Sequence, residues 1–436
     1  MKEKLTNQPK QFYKLAISLI LAIFISTALI RPAAGKEVNV NFGETKIENH
    51  FPKGLRFSVK IDLIQTKGAH INLWYRLGAD SWMQKSPNCD VKITDESANS
   101  KYFSCVIFLE LLGVPPQLPI TYKWELADPN DNPIKFSDEK VIIYSDTKFN
   151  WQNLDSDTIT IWWHDRSSEF AQQILSTAQT AIQQQKAFYG VELEHPIQIV
   201  LQNSVEELYM WRENTSQSIG GEAFPRIGLT IQIVELDMPK DVVDSWLNEI
   251  VPHEISHLYF FQATAREKAT PPNWLNEGMA GYNEISDHSQ DWFFVRRAIK
   301  QQTIIPLGEL RGEFTGEEEK IFLSYAESTT AIIYAIEIYG QEGLKKLFSA
   351  YQAGESSDEA FLKAFGRTES DFEKDWEIWV VEQTNQPSNT IKVLSYVLFF
   401  LTIICSCTLA SIFVIIFLIV AFNNKIKIQP VPRNMG

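Results

Sequence analysis

Residues 393–422 form an apolar run with no charged side chain, and such a run has few physical options. In hydrocarbon every backbone amide and carbonyl must be satisfied within the segment, so the run is expected to cross a membrane as a helix, which takes roughly 20 residues. Lys425, Lys427 and Arg433 follow it, whereas Glu373, Asp375, Glu377 and Glu382 precede it. That asymmetry places the tail, 423–436, in the cytoplasm and the preceding chain outside. A second apolar run, 15–30, follows Lys2, Lys4, Lys10 and Lys14 and leads to Ala33, Ala34 and Gly35. This order is expected of an export signal over 1–35, either cleaved after the small residues or kept as an N-terminal anchor. The expected setting is a single-pass cell-membrane protein whose folded part is extracytoplasmic.

A chain of 436 residues is long enough for two folded units, and 44% hydrophobic with 22% charged residues is globular rather than disordered composition. A net charge of -14 excludes a nucleic-acid partner, which needs clustered Lys and Arg. Two periods divide the exported part. Leu55-Arg-Phe-Ser-Val-Lys-Ile-Asp-Leu63 alternates apolar and polar residues, as do 71–77 and 120–126. The turn-rich Asp128-Pro-Asn-Asp-Asn-Pro133 follows, with another strand near Val141. Short alternating strands with turn signals between them predict an all-β, immunoglobulin-like sandwich over 37–145. From 155 to 385 strands come first, at 158–163, 197–201 and 229–234, mixed with a long amphipathic helix at 167–189, and further helices follow. That order predicts an α+β domain.

Cys89 and Cys105 lie in the exported part, where they either pair as a disulfide or stay as buried thiols. Cys405 and Cys407 sit within the apolar run, as packing residues or acylation sites.

A helix expected to start near Asp241 carries Val251-Pro-His-Glu-Ile-Ser-His-Leu258. Residues four apart on a helix lie one above the other, so His253 and His257 can reach a single metal ion, with Glu254 beside it as a general base. Downstream, Asn273-Trp-Leu-Asn-Glu-Gly-Met-Ala-Gly-Tyr282 reads as a second helix capped by Asn273, with Glu277 twenty positions after His257. Gly278 and Gly281 give this helix a side without bulk, expected to approach the motif helix closely. Two imidazoles and one carboxylate are the ligand set of a catalytic rather than a structural zinc, because they leave a position open. Pro252 is expected to kink or restart the helix just before the first ligand.

These two segments resemble the gluzincin class of metallopeptidases, in particular the membrane-associated peptidase MA-like families of bacteria. The resemblance is strong over the motifs and loose over 155–380. It implies a zincin-like, thermolysin-like fold, a Zn2+ cofactor, a peptide or protein substrate, ligands His253, His257 and Glu277, and Glu254 as catalytic base. It also implies an oxyanion stabiliser from a downstream helix, for which Tyr325 is the candidate. The chain departs from some relatives at Gly281, where an acidic residue orients a ligating histidine; Glu284, Asp287 or a backbone carbonyl can replace it. A metzincin would need Gly and His where Phe260 and Ala263 stand, and an intramembrane protease would not carry Asp241, Asp244 and Glu249 beside its motif.

Gly220-Gly-Glu-Ala-Phe-Pro225 and the strand after it form either a substrate-pairing edge or a plain turn and strand. Glu222 is a candidate for gripping a substrate amino terminus. His164 and His288 are either extra ligands or ordinary core and surface residues, and Asn214-Thr-Ser216 matches a glycosylation acceptor. Two rival functions stand beside the peptidase: an inert surface receptor or adhesion protein retaining a zinc domain, and a hydrolase of another substrate such as a glycopeptide. Nothing in the pattern specifies an oligomeric state.

Overall fold

The computed structural model describes residues 40–62, 69–86, 89–92, 100–212, 220–265 and 270–385. The expected export signal, transmembrane helix, cytoplasmic tail and glycosylation triplet lie outside them. Contact density groups the chain through Ala263, with Asn283–Ile285, into one unit, and Thr264–Tyr282 with the chain from Ser286 into another.

Among the described residues the first unit begins with nine strands, all paired antiparallel. They are β1 (Asn41–His50), β2 (Gly54–Asp62), β3 (His70–Leu77), β4 (Gln84–Lys85), β5 (Cys89–Lys92), β6 (Ser100–Phe108), β7 (Leu118–Ala127), β8 (Pro133–Phe136) and β9 (Lys140–Tyr144). One sheet has the order β1-β2-β6-β5; the other runs β4-β3-β7-β8, with β9 also on β7. The alternation read from the sequence decides which face is buried. Leu55, Phe57, Val59 and Ile61 from one sheet share a core with Leu73, Tyr75, Ile120, Tyr122 and Trp124 from the other. Phe57 packs on Tyr122 with ring centroids 4.9 Å apart, and Trp124 Nε1 donates to Thr45 Oγ1 at 3.0 Å. Cys89 stands opposite Cys105 in the β5/β6 register, and the two form a disulfide.

A second sheet system follows in the same unit: β10 (Gln152–Asp155), β11 (Ile159–Trp163), β12 (Ile197–Gln202), β13 (Gly221–Phe224) and β14 (Leu229–Ile233), ordered β10-β11-β12-β14-β13. β11, β12 and β14 are parallel, which requires a crossover, and α1 (Ser168–Tyr189) supplies the first. A short α2 (Val205–Tyr209) leaves β12, and α3 (Lys240–Thr264) leaves β14. The sequence reading is corrected at one strand. Leu229–Ile233 lies inside the sheet, and the residues read as a glycine turn form the edge strand β13.

The second unit is helical: α4 (Asn273–Tyr282), α5 (Ser289–Gln301), α6 (Glu318–Gln352), α7 (Ser357–Phe365) and α8 (Glu369–Asn385). Trp274, Tyr334, Phe361, Phe365 and Phe372 pack as one aromatic core, with Trp274 stacked on Phe372 at 5.9 Å. Among the described residues α6 is the one helix long and apolar enough to cross a membrane, but 61% of its apolar window is buried in the protein, as in a core helix.

Candidate metal centre

The motif helix runs from Lys240 to Thr264 with Pro252 inside it, so it does not restart before the first histidine. Proline at this position cannot donate to the carbonyl of Asn248, four residues back. The vacancy is filled from outside the helix, where the Ile285 N–H donates to the Asn248 carbonyl at 2.9 Å. The Pro252 carbonyl in turn accepts from Gln185 Nε2 of α1 at 2.7 Å, in a buried site. The helix therefore keeps its spacing, and His253 and His257 stand one turn apart with ring centroids at 5.0 Å and planes at 81°.

Ile285 is the last residue of a three-residue clip along this helix. Asn283 Nδ2 donates to Ser256 Oγ at 3.1 Å, and Ser256 Oγ also meets the Tyr189 hydroxyl at 2.7 Å. Between those anchors Glu284 Oε1 lies 2.8 Å from His253 Nδ1. The carboxylate replaces the acid missing at Gly281. A proton held on Nδ1 puts the ring lone pair on Nε2, the tautomer a metal ligand needs.

Glu254 is buried, with 4% of its surface exposed, against the edge strand. A methyl group at Gly221 would come 2.8 Å from Glu254 Oε1 and 2.7 Å from the Ile231 carbonyl, closer than a side-chain carbon can stand. Only glycine lets β13 pass this close to Glu254. Ile233 N–H donates to the Gly220 carbonyl at 2.7 Å, and hydrogen-bonded pairs alternate along an antiparallel ladder. By that alternation the backbone groups of Gly221 and Ala223 point away from β14, to the side where, among the described residues, no strand pairs with β13.

Glu277 lies on α4, whose first turn bonds to the Pro272 carbonyl, so Pro272 rather than Asn273 holds the cap position. The side bared by Gly278 and Gly281 meets Ser328 and Thr329 of α6, which corrects the expected approach to the motif helix. Trp274 Nε1 donates to Glu369 Oε1 at 3.1 Å, which fixes the first turn of α4 in the aromatic core. His253, His257 and Glu277 each offer a ligand atom, all within 4.8 Å of one another. Ligand atoms around a tetrahedral zinc stand about 3.4 Å apart at bond lengths of roughly 2.1 Å, so the donor set fits zinc in number, type and proximity.

The weaker candidates resolve differently. Tyr325 lies two turns inside α6 rather than at its start, 37% exposed and edge-on to Phe314 at 5.1 Å. Glu222 forms an ion pair with Arg212. His164 is a core residue: it stacks on Phe149 at 4.1 Å and bonds Asp165 at 2.9 Å and Glu207 at 3.2 Å. Burial alone would lower its pKa, but the bonds to Glu207 and Asp165 outweigh it and the net shift is upward. His288 precedes α5 and faces Asp291 at 3.3 Å. Among the described residues neither joins a metal-suited cluster.

No curated protein matches the chain. Among solved structures, an aminopeptidase N family protein from Idiomarina loihiensis is similar at 10% identity and a TM-score of 0.29, covering 81% of this chain and 72% of its own. Residues 177–382 match the Peptidase MA superfamily, a grouping of peptidases, and they include both histidines, Glu254, Glu277 and Glu284. This match supports a gluzincin-like metallopeptidase domain over those residues.

Proposed function

We propose that the protein is a membrane-anchored zinc metallopeptidase that hydrolyses peptide bonds outside the cytoplasm. The observation that carries this reading is the gathering of His253, His257 and Glu277 within 4.8 Å, with Glu254 next to the first histidine. These three side chains would hold the zinc. Bound there, zinc supplies Lewis-acid chemistry that lets water act as a nucleophile near neutral pH.

The chain's own groups do the rest. Glu254 takes a proton from the attacking water and later gives it to the leaving amine. The free edge of β13 holds an extended peptide by backbone pairing at Gly221 and Ala223, beside that carboxylate. Glu284 fixes His253. Tyr325 is assigned to the developing oxyanion; its Phe variant should then lose about 100-fold in kcat with KM nearly constant. The Cys89–Cys105 disulfide and the apolar run at 393–422 support the extracytoplasmic, anchored setting.

The test is hydrolysis of a mixed peptide library by the zinc-loaded full chain, with and without a chelator. Cleavage should stop with the chelator. Glu254→Gln should keep zinc and lose turnover by a factor of about 1000 or more. Hydrolysis by that variant at the wild-type rate would sink the assignment of the base.

A further inference from the structure

The edge strand does not end in solvent. From Gly221, beside Glu254, β13 leads to Phe224 about 10 Å away. There the guanidinium of Arg212 lies over the Phe224 ring at 5.3 Å and Trp211 packs against it at 6.1 Å. Arg212 also reaches the first sheet pair. Its Cγ stands 3.9 Å from where a Cβ on Gly113 would be, in the loop joining β6 to β7. The ends of that loop, Leu109 and Val114, are buried in one cluster with Leu208 and Trp211 of the α2 region.

Between those buried ends the loop turns two leucines outward, Leu111 at 93% and Leu112 at 58% exposed. The α2 region does the same with Tyr209 at 48% and Met210 at 37%. Single exposed leucines are common, but four large apolar side chains on two segments that meet where Arg212 lies beside Gly113 make a patch. Arg212 joins this patch to the strand that runs from the base.

We propose that Leu111, Leu112, Tyr209 and Met210 form a subsite, contributed in part by the β-sandwich, for apolar side chains of an extended polypeptide substrate. The proposal rests on the peptidase reading of the same site. An extended peptide paired along β13 advances about 3.3 Å per residue, so its side chains about three to five residues from the bond at Glu254 reach the patch. The occupant follows from this continuity: the chain that lies on β13 is the chain that arrives at the leucines. The sandwich thereby reads substrate sequence outside the reacting centre and favours segments that are apolar and extended.

The test is fluorescence-anisotropy binding to the zinc-loaded full chain carrying Glu254→Gln, so that peptide is not consumed. Two labelled dodecapeptides are compared, identical at the centre and carrying Leu or Asp at positions three to five residues from it on either side. The Leu peptide should bind about tenfold more tightly than the Asp peptide. Adding Leu111→Ser with Leu112→Ser should bring the ratio close to one. Leu111→Arg with Leu112→Arg should reverse it in favour of Asp, a result that damage to the fold cannot produce. A ratio unchanged by either pair of substitutions overturns the subsite. Absence of hydrolysis by the wild type, with the ratio and its reversal intact, would instead overturn the peptidase reading and leave a peptide-binding surface.

Discussion

At the residue scale the site depends on groups that never touch a substrate. Glu284 is the clearest, because a single carboxylate 2.8 Å from His253 Nδ1 favours the tautomer with its lone pair on Nε2, the one the proposed ligand role needs. Glu284→Ala should weaken zinc binding by a factor of about 10 to 100, read by competition with a chromophoric chelator, while Asp287→Ala should leave the affinity within about twofold. Equal losses in the two variants would remove Glu284 from the role. Gly221 is the second. A side chain there must push either Glu254 or the Ile231 carbonyl, so Gly221→Ala should cut kcat/KM by about 100-fold while changing zinc affinity little. The one-turn placement of the proposed ligands His253 and His257 was legible in the sequence because such spacing is a local property of a helix. The partner of His253 was readable only as a choice among Glu284, Asp287 and a carbonyl, since a loop's path over a helix is not written in any period.

At the element scale the motif helix tolerates a proline because another segment repairs it. The Ile285 amide donates to the carbonyl that Pro252 leaves unpaired, and the same clip carries Glu284. The helix start near Asp241 and the strands at 158–163 and 197–201 followed from periodicity. The edge strand did not, because Gly-Gly-Glu-Ala-Phe-Pro has the composition of a turn, and only the approach to Glu254 explains its glycines. On α6 the buried Glu327 gives a separate prediction. Burial raises its pKa from 4.5 to about 9, with Glu377 and Glu373 adding to the rise and the Ile305 N–H opposing it. Between those values the folded state holds a proton that the unfolded chain releases, so stability is full below about pH 4.5 and is lost as pH rises through about 9. Glu327→Gln keeps the shape without the proton. The variant should be more stable than the wild type at pH 8, by on the order of 5 kcal/mol, and equally stable at pH 4. Parallel melting curves across that range would show that Glu327 is not held neutral.

At the scale of the whole molecule, sequence periodicity separated a sandwich over 37–145 from a mixed domain after 155, whereas contact density keeps the sandwich with the five-stranded sheet and the motif helix. The reason is a joint that composition does not reveal. The Ala79 N–H donates to the Ile227 carbonyl at 3.0 Å, and Arg226 pairs with Asp80 at 3.2 Å. Gly78 and Gly228, both at positive φ, allow the two backbones to meet where any side chain would collide. Beneath them Val200, Leu208, Leu229 and Ile231 complete a core that begins with Leu55 and Trp124. If this core is shared, the parts cannot be separated without exposing it. Residues 150–385 expressed alone should therefore bind a hydrophobic dye and lack a cooperative melt, whereas residues 40–385 should melt cooperatively. Gly78→Val in the longer fragment should lower stability by about 2 to 4 kcal/mol, because the joint must open to admit the side chain. Recovery of a compact, dye-free and cooperatively melting 150–385 would mean that the sandwich is an appendage, and the apolar patch at Leu111 and Leu112 would then have no fixed place relative to β13.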